Sequence, residues 1–178
     1  MSFDRPDYLR EVLESVARQK DCAVIDAGVY LFQDGAVNAA SSEQRADPKD
    51  INECEKIFKE LFPNGQAFVS PVNLGVALNF ERAEKFVFEQ LDSDAAIFLE
   101  DDLVLAPYYM EALNRLIQVA LRDQRIGYVA AYGHHWVPIE NQKKDPTKGL
   151  RQNWCFKWDD VAARWCSSIR RGTRPGQR

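Results

Sequence analysis

From Pro6 onward, apolar residues recur at Leu9, Val12, Leu13, Val16 and Ala17, the stripe of an amphipathic helix with proline in its first turn. The period then changes. Val29 to Phe32 is a short β-rich run closed by the turn signal Gln33-Asp34-Gly35. After a polar loop from Asn38 to Arg45, Asp47-Pro48-Lys49-Asp50 reads as a helix cap with a first-turn proline. That second helix carries Ile51, Cys54, Ile57, Phe58 and Leu61 on one face and ends at Pro63-Asn64-Gly65. A short strand follows at Ala67 to Ser70. Asn73-Leu74-Gly75 leads into a third helix with Phe80, Ala83, Val87 and Leu91 facing inward. Ala95 to Leu99 is a strand, Pro107 opens a helix striped by Leu113, Leu116, Ile117, Ala120 and Leu121, and Gly127 to Tyr132 returns as a strand. Helices alternating with short apolar strands predict right-handed βαβ units and an α/β fold, a Rossmann-like, mostly parallel sheet flanked by helices.

One segment stands apart. Ala95-Ala96-Ile97-Phe98-Leu99 has no polar alternation, as in a strand buried on both faces, and it ends abruptly in Glu100-Asp101-Asp102. Three carboxylates at a strand end repel one another and resist desolvation unless a cation sits among them. In open α/β sheets that end of the strand is where ligands bind. The segment therefore reads as a site for Mn²⁺ or Mg²⁺ holding a phosphorylated substrate. Its plain counterpart is a solvated acidic turn before the next helix.

Composition narrows the picture only a little. The 178 residues suffice for one domain with a real core, 46% are hydrophobic and 28% charged, an ordinary globular balance. A formal net charge of −4 argues against nucleic acid as the main partner. No apolar stretch approaches the roughly 20 residues of a transmembrane helix, and the N-terminus has no signal-peptide pattern. Cys22, Cys54, Cys155 and Cys166 lack zinc or disulfide-framework spacing, which points to free thiols and a cytoplasmic location. Residues 1–165 read as one domain. The tail, 166–178, lacks apolar periodicity and is expected to be disordered.

Three segments, in order, carry a resemblance. Asp4-Arg5-Pro6-Asp7-Tyr8-Leu9, Phe32-Gln33-Asp34-Gly35 and Phe98-Leu99-Glu100-Asp101-Asp102 together resemble the nucleotide-sugar-binding half of GT-A-fold glycosyltransferases. The Glu-Asp-Asp form of the metal motif, followed by Ala106-Pro107-Tyr108-Tyr109, is most similar to the N-acetylglucosaminyltransferase I group. The resemblance covers roughly residues 2 to 133. It implies a metal-dependent glycosyltransferase, probing a nucleoside-diphosphate sugar (a UDP-sugar favoured) and passing its sugar, with inversion, to a glycan, lipid or protein hydroxyl.

By the same resemblance Asp102 binds the ion, Glu100 orients the site from behind it, and Asp101 lies near the donor's hydroxyls. Asp34 accepts from the base's ring N–H, Arg5 meets base or phosphate at the first helix's amino end, and Asn79 reaches toward the donor. Each has a plain alternative: Asp34 a turn residue before Gly35, Arg5 a solvated first-turn arginine, Glu100 a strand-end acid, and Gly75 a close-packing position. His134-His135-Trp136 reads as packing or exposed surface, with an acceptor-sugar wall as the alternative, because adjacent histidines do not face one ion from regular structure. Tyr108, Tyr109, Trp154 and Trp158 serve equally as sugar-stacking or core residues.

Both ends depart from the family pattern. By that pattern Met1-Ser2-Phe3 supplies a stump of the expected opening strand, leaving a gap in the sheet, the acceptor half is expected to be largely missing, and the tail Arg170–Arg178 reads as a translated frameshift or a truncated gene model. The late acids Asp159 and Asp160 are the candidates for the catalytic base that deprotonates the acceptor, against a solvated helix start. Two competing functions remain: a nucleotidyltransferase, disfavoured by the lack of a glycine-rich basic phosphate loop, and a non-catalytic α/β domain that binds metal or a partner.

Overall fold

The computed structural model describes residues 1–21, 28–123, 125–130 and 168–171, the last four as backbone. Helix α1 spans Pro6–Ala17 and begins with Pro6 just inside the Arg5 cap position, where a missing N–H costs nothing. Strand β1 is Tyr30–Gln33 and helix α2 is Pro48–Leu61, whose Asp47 carboxylate accepts from the Lys49 N–H at 2.9 Å, as the cap signature predicts. Strand β2 is Gln66–Val69, helix α3 is Gly75–Lys85, and strand β3 is Ala95–Phe98. Helix α4 runs Tyr109–Arg122, strand β4 Tyr128–Ala130 and strand β5 Ser168–Arg171.

Helices cover both faces of the strands. Leu31 points into a core with Leu9 and Leu13 of α1 and Cys54 and Phe58 of α2. Its neighbour Phe32 points the other way, into a core with Phe80 and Ala83 of α3 and Phe98 of β3, the period-two alternation of a strand. A third cluster packs Leu113 and Ala120 of α4 against Ile126 and Val129. Each fully buried Leu or Phe contributes about 1.5–3 kcal/mol by leaving water, so these clusters are what fix the layers.

β1 and β2 are parallel, with Tyr30 opposite Gln66 and Gln33 opposite Val69. The rest departs from a mostly parallel sheet: β3, β5 and β4 form a second group in which the central β5 is antiparallel to both neighbours. Ser168–Arg171 therefore pair as a strand, where a tail without periodicity was expected; four residues inserted between two strand edges order by backbone bonding, which leaves no apolar signature. The other tail residues lie outside the described ones. The third helix also differs. After Lys85 it widens into a π-helical turn, Phe86–Gln90, which rotates the stripe, and Leu91 ends 42% exposed although the pattern placed it inward. β3 is only half-buried at Ala95, Ala96 and Ile97, less than its unbroken apolar run predicts.

Candidate functional site

The carboxyl ends of β1 and β3 meet at the first three residues. Ser2 pairs parallel with Gln33: its N–H donates to the Phe32 carbonyl at 3.1 Å and its carbonyl accepts from the Asp34 N–H at 3.0 Å. On the other side the Met1 ammonium donates to the Leu99 carbonyl at 2.7 Å and the Phe3 N–H to Asp101 Oδ2 at 3.2 Å. Gln33, fully buried, donates from its side-chain amide to the Phe3 and Asp34 carbonyls. This clamp aims Arg5, two residues further on, at the acids.

Arg5 bonds Asp101 Oδ1 through one terminal nitrogen and lies 3.4 Å from Asp102 Oδ2 through the other. Burial opposes the charge of the guanidinium, but the carboxylates of Asp101 and Asp102 outweigh it and raise its pKa. Asp101 is turned inward and 5% exposed, with both oxygens engaged by Arg5 and the Phe3 N–H. Asp102, its side chain 47% exposed, faces outward. Glu100 is half-buried, and desolvation, reinforced by the Asp102 carboxylate, raises its pKa. Three carboxylates thus face one guanidinium and one ammonium, leaving the pocket net negative. Among the described residues no three Asp, Glu, His or Cys side chains converge on one point.

The loop after the acids is stapled to α1. Ser15 Oγ donates to the Val12 carbonyl and accepts from the Leu105 N–H, while Gln19 donates to the Ala106 carbonyl and accepts from the Met110 N–H. Tyr109 packs partly buried beside both cores, and Tyr108 is 51% exposed.

Asp34 is 4% exposed and lies at the start of α3. Its Oδ1 accepts from the Gly35 and Leu74 N–H groups and its Oδ2 from the Gly75 N–H and the Asn73 side-chain amide, at 2.8–3.1 Å. A carboxylate offers about four acceptor positions, and all are filled. Two of those donors, Leu74 and Gly75, are N–H groups that α3 itself leaves unbonded. Two glycines make the arrangement possible: a Cβ on Gly35 would stand 2.5 Å from the Val72 backbone, and Gly75 sits at φ +75°.

Asn79 is buried, donating to the Phe32 carbonyl and accepting from Arg82. Arg82 also donates to the Gln33 and Phe68 carbonyls and lies over the Phe32 ring, so α3 is tied to the ends of β1 and β2. Burial lowers its pKa, with Asp34 acting in the opposite direction. Arg82, Ser15 and Gln19 stand in no motif of the sequence, and Gln33 stands there only in a turn signal. The signal for Arg82 was present, a charge three residues after Asn79 and therefore on the same inward face. The structure brings Arg5, Glu100, Asp101 and Asp102 together. Asp34 and Asn79 lie by the end of β1 and serve α3. Asp159, Asp160, His134, His135, Trp136, Trp154 and Trp158 lie outside the described residues.

No protein-family model matches this chain, and no curated protein matches it. No helix among the described residues is long and apolar enough to cross a membrane.

Proposed function

We propose that this chain is the donor-binding part of a metal-dependent glycosyltransferase of GT-A type, handling a nucleoside-diphosphate sugar, with a UDP-sugar favoured. The observation that carries the reading is the meeting of Arg5 with Asp101 and Asp102, residues nearly a hundred apart, at the carboxyl ends of β1 and β3. That is the position where α/β sheets bind ligands. Asp102 and Glu100 would hold Mn²⁺ or Mg²⁺, which when bound supplies Lewis-acid stabilisation of the departing diphosphate. Arg5 holds Asp101 inward and keeps Asp102 at the mouth, beside the amino end of α1, where backbone N–H groups favour an anion. Deprotonation of the acceptor falls to Asp159 or Asp160. The reading includes a cytoplasmic setting, which rests on the spacing of the cysteines in the sequence.

Titration calorimetry with UDP, GDP and CMP, with and without Mn²⁺, tests the proposal. Mn²⁺-dependent binding of one nucleotide, reduced at least about tenfold in Asp102→Asn, is the expected outcome. A folded protein that binds none of them refutes it. A second reading, an α/β domain without turnover, is favoured by one observation: Asp34, the residue assigned to the base, has its acceptor positions filled by Gly35, Asn73, Leu74 and Gly75.

A further inference from the structure

Asp101, Asp102 and the loop after them run along α1. At the amino end of the helix Arg5 meets both acids, and midway Leu103 and Leu105 pack into the core that holds Leu9 and Leu13. Past its carboxyl end the loop is tied again. The Leu105 N–H donates to Ser15 Oγ at 2.9 Å, and the Met110 N–H to Gln19 Oε1 at 2.8 Å. The Gln19 amide donates to the Ala106 carbonyl at 2.9 Å, and the Lys20 N–H to the Pro107 carbonyl at 2.7 Å.

Residues 103–106 belong to no helix or strand, so no ladder of backbone bonds fixes where they sit. Arg5 fixes them only weakly from its own end. Its side chain is 44% exposed and that of Asp102 47%, and ion pairs open to water hold little. The neighbouring carboxylates meanwhile repel one another. Ser15, by contrast, is buried, and a buried N–H such as that of Leu105 is costly to leave without its acceptor. The register of the loop on α1 is therefore decided at Ser15 and Gln19, and a slip of one residue there carries Asp102 toward the place of Asp101.

We propose that Ser15 and Gln19 are positioning residues for the acids. By anchoring Leu105, Ala106 and Met110 they keep Asp101 inward on Arg5 and Asp102 at the mouth. They act from a distance: Ser15 lies ten residues along the helix from Arg5, about 15 Å at the helical rise per residue. Buried Leu9, Val12, Leu13 and Val16 hold α1 itself in the core between the two ends. The bearing of this brace on nucleotide binding rests on the glycosyltransferase proposal; its hold on Asp101 does not.

The test compares wild type with Gln19→Met and Ser15→Ala, by amide exchange and by calorimetry with UDP and Mn²⁺. The Phe3 N–H donates to Asp101 Oδ2 at 3.2 Å, so its exchange reports on Asp101 from the opposite end of α1. Both variants are expected to speed exchange at Phe3, relative to that at Phe58 of α2, by about fivefold or more. They are expected to weaken UDP binding by a similar factor. Faster exchange confined to Leu105 and Met110 shows that the bonds act only locally and overturns the inference, as does wild-type UDP affinity in both variants. If wild type itself binds no UDP, the UDP-sugar proposal fails, and exchange at Phe3 alone decides the brace. Should Ser15→Ala fail to fold, Gln19→Met gives the answer, since Gln19 is only half-buried and lies beyond the last turn of α1.

Discussion

Replacing Asp34 by alanine separates the two roles this carboxylate can play. The side chain is 4% exposed and accepts four hydrogen bonds, three from backbone N–H groups and one from Asn73. Each such bond contributes about 1 kcal/mol net, and more when the acceptor is charged, so the loss comes to about 4 kcal/mol even if water enters. Against a typical stability of about 5–15 kcal/mol this is a large fraction. For a chain of 178 residues it corresponds to a fall of about 8–16 °C in melting temperature. Asp34→Asn keeps one carbonyl oxygen but turns an NH₂ toward two donors, and about 2–3 kcal/mol is expected to be lost. Urea unfolding followed by circular dichroism measures both. An alanine variant within about 1 kcal/mol of wild type would refute the argument that these bonds hold the start of α3. An asparagine variant that stays stable but loses nucleotide binding would show that the carboxylate serves a ligand.

Glu100→Gln is expected to stabilise the metal-free protein near neutral pH. Its folded pKa is raised, chiefly by desolvation, so the folded state binds more protons and wild-type stability falls as pH rises from the ordinary glutamate value through the raised one. Melting curves with a chelator across that window check this, and the glutamine variant should flatten the slope. Arg82→Met removes the donor shared by the Gln33 and Phe68 carbonyls and Asn79, a loss of about 2–4 kcal/mol by denaturant titration. The Cys54 thiol is buried and its pKa is pushed up to about 11 from 9.0, mainly by desolvation. Alkylation at pH 8, followed by peptide mass mapping, should run about a hundredfold slower at Cys54 in the folded chain than in urea, from thiolate content alone.

The helices were legible because each carries its own signal. Pro6, the Asp47-Pro48 cap and the inward stripes of α1, α2 and α4 are local patterns, and local hydrogen bonding with one buried face satisfies them wherever the helix docks. The short strands were legible as apolar runs to within a residue or so, and the acids after β3 stood out because no core accepts three carboxylates unaided. The partners of these elements were not legible. Ser168–Arg171 gives no sign that it lies between β3 and β4, since backbone groups do that bonding and every residue has them. Likewise Asp34 announces a turn, but that its oxygens reach Asn73, Leu74 and Gly75 depends on how α3 packs. Asp101 and Asp102 are adjacent and chemically alike in the sequence. The tertiary structure alone turns one inward onto Arg5 and leaves the other at the surface, because Phe3 and Arg5 deliver a backbone N–H and a guanidinium to one side of the strand end. The sequence by itself determined the four helices, the strands β1 to β4 and where charge concentrates, since those follow from residue-level chemistry. Which charges meet was left to long-range packing, whose contacts join residues far apart in the chain.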